Sequence, residues 1–131
     1  MKKLLLVVIL FITFISCKKS SKDTPLPNGT WIEVAKGKDT ITFANVGSDQ
    51  MFILKREGMI SNGVLIPKSG VGPYVYTLQT DTIVMRPAVS NSLFCNHFYI
   101  NIDAETNLLS IGNFYDENKT KGAILTFTKK P

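Results

Sequence analysis

The chain has 131 residues, of which 44% are hydrophobic and 19% are charged, a composition typical of a globular protein and not of a disordered or collagen-like one. Its length admits one folded domain. Fifteen Lys and Arg residues against ten Asp and Glu residues give a net charge of +5, which would suit a nucleic acid or a membrane surface, and the single His excludes a multi-His zinc site.

The first residues predict a secretory leader. Residues 1–3 are a basic start, and residues 4–15 are apolar except for one Thr. Ser16 and Cys17 follow at the place where a secretory signal would be cut. The apolar run is shorter than the roughly 20 residues that a membrane-spanning helix needs, so residues 1–16 are expected to be a signal peptide.

The segment Phe14-Ile15-Ser16-Cys17 resembles the lipobox of bacterial lipoproteins, with Phe14 in place of the usual Leu. The resemblance implies that the Cys17 thiol receives a diacylglyceryl group, that the signal is cleaved before it, and that the new amino group is acylated, for example with palmitate. More than one acyl chain gives lasting attachment, whereas a single chain binds reversibly. The alternatives are an ordinary signal peptide with a coincidental cysteine, or a membrane-anchored N-terminus.

Residues 17–29 are predicted to be the lipidated Cys17 and a flexible tether. Residues 18–28 contain three Lys, two Ser and two Pro and have no apolar period, and they reach at most about 35 to 40 Å when extended. Surface-displayed lipoproteins of the Bacteroidota type, which the leader resembles, carry an acidic run after the cysteine. Here Asp23 is the single acid, which favours the periplasmic face of the outer membrane over the cell surface.

Residues 30–131 are predicted to form one all-β domain, because short strand-like runs alternate with Gly, Pro, Asn and Asp and no helical apolar period is found. The predicted strands are 30–35, 40–44, 50–56, 64–66, 74–79, 82–86, 93–103, 108–114 and 123–129. Their spacing is typical of an antiparallel up-and-down meander that closes into a barrel or sandwich. Asn62-Gly63 predicts a tight turn with positive φ, and Asn107 is expected to adopt the left-handed conformation.

Alternation along the strands predicts which side chains face the core. In the long strand, Phe94, Phe98, Ile100 and Ile102 share the predicted core face, and Cys95, His97 and Tyr99 share the other. Residues 50–56 are apolar on both faces, which suggests burial on both sides or contact with a partner. The side chains predicted to line the interior, and any ligand cavity within it, are Trp31, Phe43, Tyr74, Tyr76, Phe94 and Phe98.

The opening Asn28-Gly29-Thr30-Trp31 resembles the Gly-x-Trp start of lipocalins and of the short lipocalin-like domains of Bacteroidota lipoproteins. The resemblance implies an antiparallel barrel of about eight strands, closed at one end by Trp31. It also implies a basic residue of the last strand lying across the Trp, for which Lys129 and Lys130 are the nearest candidates in place of the usual Arg. Another β-sandwich or a half-barrel is the alternative.

Two strands open with Asp-Thr-Ile, at Thr40 and at Thr82. The simpler interpretation is a turn Asp leading into β-branched residues. The pattern also resembles the O-glycan acceptor sequence of Bacteroidota secreted proteins, which would place sugar on one of these threonines.

Catalytic and metal chemistry have little support in the sequence. Cys95 and His97 lie on the same side of a strand, but their side chains run parallel from backbone positions about 6.5 to 7 Å apart, and no third group is evident to orient the imidazole. Asp116-Glu117, the only adjacent acidic pair, is expected to be a solvated turn. No nucleophile elbow, P-loop or dinucleotide motif is present, so no enzyme activity, cofactor or metal is expected. If Cys17 is lipidated, an internal disulfide with Cys95 is not expected.

The charge that remains in the domain is small, because residues 30–131 hold ten basic and nine acidic side chains. Nucleic acid is therefore not an expected partner. The sequence favours a lipid-anchored envelope protein that is not an enzyme and binds a small apolar ligand through the mouth opposite Trp31, or serves as a non-catalytic binding module. The alternative is a protein interaction module or envelope enzyme inhibitor with a filled barrel, which the short loops of a domain of this length favour.

Overall fold

The computed structural model describes residues 26–90 and 95–131. This part of the chain contains ten β-strands and no helix, which confirms the predicted all-β class. The strands are β1 (Gly29–Glu33), β2 (Thr40–Val46), β3 (Asp49–Lys55), β4 (Met59–Ser61), β5 (Val64–Ile66), β6 (Gly72–Gln79), β7 (Thr82–Pro87), β8 (Asn96–Asp103), β9 (Leu108–Gly112) and β10 (Ile124–Lys129).

Eight of these strands form a closed barrel in the order β1-β2-β3-β6-β7-β8-β9-β10, and β10 pairs with β1 to close it. All neighbouring strands are antiparallel, and the closing pair places Trp31 opposite Lys129. The predicted eight-stranded up-and-down barrel is confirmed. Closure removes the exposed strand edges that an open sheet would leave.

Strands β4 and β5 form a separate two-stranded hairpin inserted between β3 and β6. The sequence predicted β5 alone, because Met59–Ser61 is too short a run after Glu57-Gly58 to be recognised. The predicted turn is confirmed, with φ of 50° at Asn62 and 75° at Gly63, the two positive values that a tight hairpin turn requires. Asn107 also has the predicted positive φ, at 53°.

The barrel core consists of alternate side chains along each strand, as the strand period requires. Of the predicted core face in the long strand, Ile100 is buried, and Phe98 and Ile102 pack against the core. Ile53 points outward and is 41% exposed, so the prediction that residues 50–56 are buried on both sides was wrong, and their contact with a partner stays a prediction. The buried hydrophobic cluster comprises Trp31, Ile41, Phe43, Phe52, Leu54, Tyr74, Tyr76, Ile83, Met85, Ile100, Leu109, Ile111, Tyr115, Leu125 and Phe127.

The two ends of the barrel differ. One, here called the turn end, carries residues 26–28 before β1 and the short connections 47–48, 80–81 and 104–107. The other, the loop end, carries the longer connections 34–39, 56–71 and 113–123 and the connection from β7 to β8. The β4–β5 hairpin lies within the second of these and so belongs to the loop end. A helix able to cross a membrane is not found among the described residues.

Candidate functional site

The turn end is closed around Trp31, which is 3% exposed. Its indole Nε1 donates a hydrogen bond to the Asn28 carbonyl at 3.0 Å. Lys129 Nζ lies 5.7 Å from the centre of the Trp31 ring and donates to Asn28 Oδ1 at 2.7 Å. Of the two lysines that the lipocalin resemblance offered, Lys129 takes this position. Pro27 is also buried, so the residues before β1 form a floor beneath Trp31. An open cleft of about 360 Å³ lies at the same end, lined by Leu26 and by residues 48–50 and 75–78.

The interior is occupied by aromatic side chains. Phe43, Tyr74 and Tyr76 are 5%, 8% and 3% exposed. The ring of Phe52 stacks on Tyr74 at 4.9 Å between centroids and lies 5.5 Å from Phe43. The predicted interior residue Phe98 is partly buried against this group. Phe94 and the lipid-attachment residue Cys17 lie outside the described residues.

The mouth opposite Trp31 is covered by Phe114 and Tyr115, which the β9–β10 loop places across the loop end. The Phe114 ring lies 5.6 Å from Phe52, 5.5 Å from Tyr74 and 6.0 Å from Phe98. Tyr115 is 5% exposed and packs edge-on against Phe114 at 4.7 Å. The two rings continue the aromatic core up to the rim, so the path a ligand would take from the mouth is filled by side chains.

The loop that carries these rings is held by its own hydrogen bonds. Asn113 Nδ2 donates to the Asp116 carbonyl at 2.7 Å, and the Asp116 amide donates to Asn113 Oδ1 at 2.8 Å. Asp116 Oδ1 accepts from the Asn118 amide at 3.1 Å. Asp116 is 8% exposed, so the expectation that Asp116-Glu117 is a fully solvated turn was wrong for Asp116. Its carboxylate holds the loop backbone, as Asx turns do.

A buried cation joins three connections of the loop end. Arg56 Nε donates to Asp39 Oδ2 at 3.2 Å, and both side chains are less than a tenth exposed. Arg56 Nη1 donates to the carbonyls of Ser69 at 2.7 Å and Tyr115 at 3.1 Å. The guanidinium also lies over the Tyr115 ring, 4.5 Å from its centre. Arg56 therefore ties the Tyr115 loop to the rest of the mouth.

A second ion pair at the loop end joins Lys119 Nζ to Glu33 Oε1 at 3.5 Å. The Glu33 side chain is 4% exposed and the Lys119 side chain is 30% exposed. This contact fixes the far side of the β9–β10 loop to the end of β1. The covering loop is thus bound to the barrel wall by charged side chains at Tyr115 and at Lys119.

The Tyr115 hydroxyl is buried and no described group meets it in good hydrogen-bond geometry, although the Asp39 carboxylate is close enough to interact with it. Burial raises the pKa of Tyr115 far above its usual value, and the nearby carboxylates of Asp39 and Glu33 raise it further. The hydroxyl therefore stays protonated throughout the physiological pH range. A buried hydroxyl that makes no hydrogen bond has lost its hydration without compensation, which costs about 1 to 3 kcal/mol.

We expect Tyr115→Phe to keep or raise the free energy of unfolding, by up to about 1 kcal/mol, because it removes an unsatisfied hydroxyl and keeps the ring.

The native chain should also lose stability as the pH rises above about 10, where the unfolded tyrosine releases its proton and the folded one does not. This alkaline loss should shrink in Tyr115→Phe and persist in Tyr99→Phe, a substitution at a 45% exposed tyrosine. Urea unfolding from neutral to alkaline pH measures both effects, and clear destabilisation of Tyr115→Phe at neutral pH would contradict them.

The hairpin exposes a group of large aliphatic side chains to solvent. Every residue of β4 and β5 is exposed, and the two strands pair only with each other. The exposed fractions are 57% for Met59, 78% for Ile60, 63% for Val64, 67% for Leu65 and 42% for Ile66. Val34, Val71 and Val89 are further exposed side chains of the same end. Contiguous exposed apolar surface of this kind is typical of an interaction site.

Charge is also distributed unequally between the two ends. The loop end carries eight basic and five acidic side chains, a net charge of +3, whereas the turn end carries two basic and four acidic ones, a net charge of −2. The loop-end bases are Lys36, Lys38, Lys55, Arg56, Lys68, Arg86, Lys119 and Lys121, and its acids are Glu33, Asp39, Glu57, Asp116 and Glu117. The near-neutral domain is therefore a dipole whose positive end carries the exposed hairpin.

The remaining residues singled out in the sequence lie away from this end or face solvent. Cys95 and His97 are both exposed. The Thr82 hydroxyl donates to Asp81 Oδ1 at 3.2 Å, while Thr40 follows the buried Asp39. Within residues 26–90 and 95–131, no group of three or more His, Cys, Asp and Glu side chains is arranged to hold a metal ion.

Sequence reasoning missed the mouth assembly of Asp39, Arg56 and Tyr115. Asp39 and Arg56 are 17 residues apart, and Arg56 and Tyr115 are 59 apart, so no local spacing links them. The one usable signal was an arginine directly after an apolar strand. Comparison with known proteins adds no further assignment, because the sequence matches no protein-family model, no curated protein and no solved structure at a significant level.

Proposed function

We propose that this protein is a lipid-anchored, non-catalytic binding module of the bacterial cell envelope, and that it binds through the outside of its loop end. The observation that carries this proposal is the contrast between the two surfaces a barrel can offer. The interior is packed with aromatic rings from Trp31 to Tyr115, whereas five aliphatic side chains of the β4–β5 hairpin stand in solvent. Binding energy is available at the hairpin without opening the barrel.

The hypothesis that a small apolar ligand binds inside the barrel is less favoured. Such a ligand would have to displace Phe114 and Tyr115 and break the contacts that the Tyr115 carbonyl and ring make with the Arg56 guanidinium before reaching the interior. A hydrogen bond to a charged group contributes about 1.5 to 3 kcal/mol, which a small ligand would have to recover together with the packing of the two rings. The filled interior therefore favours a surface interaction, the alternative that the sequence left open.

The anchor is proposed at Cys17, with residues 17–29 as the tether and the periplasmic face of the outer membrane as the location. The described chain enters the barrel at the turn end, where Pro27 and Asn28 lie against the floor. The tether thus leaves the molecule at the end opposite the hairpin.

Two measurements on the same preparation test the surface against the interior. A thermal-shift screen with fatty acids, bile acids and other apolar compounds, followed by titration of Trp31 fluorescence, reports filling of the interior. Crosslinking and vesicle or envelope binding report the surface. Saturable stabilisation by a small ligand, with no binding at the surface, would overturn the proposed mode.

Lipid attachment is tested by metabolic labelling with a clickable fatty acid. We expect the wild-type chain to be labelled and to fractionate with membranes, and Cys17→Ala to lose the label and accumulate as unprocessed precursor. Cys95→Ala, the matched change at the other cysteine, should keep the label. Equal labelling of Cys17→Ala would remove the anchor from the proposal and leave the binding surface untouched.

A further inference from the structure

The β4–β5 hairpin is apolar on both of its faces. The register pairs Met59 with Ile66, Ile60 with Leu65 and Ser61 with Val64. Because directly paired residues share a face, Met59, Val64 and Ile66 lie on one side, and Ile60 and Leu65 lie on the other. All five side chains are at least 42% exposed. A two-stranded hairpin is marginally stable by itself and usually packs one face against a core, whereas neither face of this hairpin is buried.

Two-sided apolarity favours an occupant that surrounds the hairpin. A protein surface covers one face of a two-stranded sheet and leaves the other in water. The boundary between headgroups and acyl chains of a bilayer accepts an inserted segment on all sides, and each side chain that enters it leaves water. The polar Asn62-Gly63 tip is short, so the aliphatic residues directly behind it enter with it.

The charge of the loop end distinguishes between two occupants of the hairpin, a second copy of this chain and a lipid surface. A symmetric pairing of two hairpins would bring two loop ends of net charge +3 together, which is unfavourable. An anionic lipid surface is complementary to the same charge. Lys55 ends β3, directly before the hairpin connection, and Lys68 follows β5, so both lysines flank the apolar segment where headgroups would lie.

The length of the tether permits this contact on the membrane that holds the anchor. Residues 18–28 span at most about 35 to 40 Å, and the longest strands, of eight residues, extend about 27 Å even before their tilt is considered. The tether can therefore run past the barrel wall and let the loop end face the same bilayer. The turn end, of net charge −2, would then point away from the anionic surface.

We propose that the β4–β5 hairpin is a membrane-docking element that inserts into the surface of an anionic bilayer, with Lys55 and Lys68 at the headgroups. The inference deepens the proposed function by naming the surface to which the loop end binds, and it does not depend on lipidation of Cys17. Docking turns the tethered barrel so that its mouth faces the membrane. The hairpin and the acyl anchor then act as two contacts with one bilayer.

The test uses the chain from residue 18 onward, which lacks the acyl anchor. The barrel closes within residues 29–129 and the whole core cluster lies in that range, so this chain keeps its complete core. Flotation with phosphatidylethanolamine vesicles containing phosphatidylglycerol should show binding that weakens with added salt. Phosphatidylcholine vesicles should bind it clearly less.

The diagnostic variant is Ile60→Ser with Leu65→Ser. Partition into the anionic vesicles should fall by at least about tenfold, because burial of a single leucine or isoleucine is worth about that factor. The matched control, Leu26→Ser with Val46→Ser, changes two aliphatic residues that are each 59% exposed but lie at the turn end, and it should bind as the wild type does. Lys55→Gln and Lys68→Gln should each weaken binding about fivefold, whereas Lys130→Gln should not.

A tryptophan probe separates insertion from simple charge attraction. Fluorescence of Leu65→Trp should shift to the blue on anionic vesicles and be quenched by brominated lipid, while Val46→Trp should do neither. Absence of vesicle binding, or an equal loss in both double serine variants, would overturn the proposal. So would a hairpin-dependent dimer on gel filtration, or a protein crosslinked through the hairpin without vesicle binding. Failure of Cys17 labelling would leave this result standing.

Discussion

Phe52→Ala is expected to lower the free energy of unfolding by about 3 to 5 kcal/mol, because it removes a fully buried aromatic ring. Phe52 is 1% exposed, and its ring contacts those of Phe43, Tyr74, Tyr76 and Phe114. Its removal leaves a cavity at the centre of the barrel that the surrounding rings fill only in part. A domain of this size loses about 4 to 8 °C in Tm for each kcal/mol, so thermal unfolding measures the change readily.

The neighbouring residue supplies the control for this prediction. Ile53 lies on the same strand but points outward and is 41% exposed, so Ile53→Ala should cost less than about 1 kcal/mol. Phe52→Ala should also gain affinity for small apolar molecules such as benzene, because apolar cavities of this kind stay dry and accept them. Similar Tm values for the two alanine variants would show that the interior is not packed as described.

Arg56→Met is expected to cost about 3 to 5 kcal/mol, although the arginine lies at the rim and not in the apolar core. It would leave the carboxylate of Asp39, whose side chain is 9% exposed, without its cation, and would deprive the Ser69 and Tyr115 carbonyls of their donor. Most of this loss comes from burying the Asp39 carboxylate without a counter-charge, since the net stabilisation from an intact buried ion pair is modest. Denaturant unfolding at neutral pH measures the loss.

Two further variants separate the burial of this charge from ion pairing in general. Lys38→Met breaks the Lys38–Glu57 pair, whose side chains are more than half exposed, and should cost no more than about 1 kcal/mol. Asp39→Asn combined with Arg56→Met should recover part of the loss, because no uncompensated charge remains. A single change at Arg56 that behaves like the one at Lys38 would show that the mouth is solvated and open.

These two residues explain why the barrel end opposite Trp31 is a lid and not an entrance. Phe52 belongs to the ring cluster that Phe114 completes, and Arg56 holds the loop that carries Phe114 and Tyr115. The covered mouth leaves the exterior of the loop end as the surface with unsatisfied apolar area. The proposed binding mode follows from that arrangement.

Much of the fold was predictable because strand physics is local. Successive side chains alternate between faces, so runs such as Tyr74 to Gln79 and Thr82 to Arg86 disclosed their buried sides. Asn62-Gly63 and Asn107 disclosed turns through the backbone conformations that Asn and Gly tolerate. The resemblance at Trp31 indicated the closed end and offered Lys129 and Lys130 as candidates for the residue lying across it. Strand β4 was not predicted, because three exposed residues are too few to show an alternation of buried and exposed side chains.

By itself, then, the sequence determined the all-β class, the strand rhythm, the inward faces and the near-neutral charge of the domain. Only the tertiary structure decided that the barrel is filled to its rim. It also decided that Arg56 meets Asp39 and Tyr115, and that the charges and exposed aliphatic residues separate between two ends. The physical reason is that alternation along a strand depends on adjacent residues, whereas contacts across the mouth depend on how eight strands close. Closure brings together residues up to 101 positions apart, as at Asn28 and Lys129, and no local pattern records that distance.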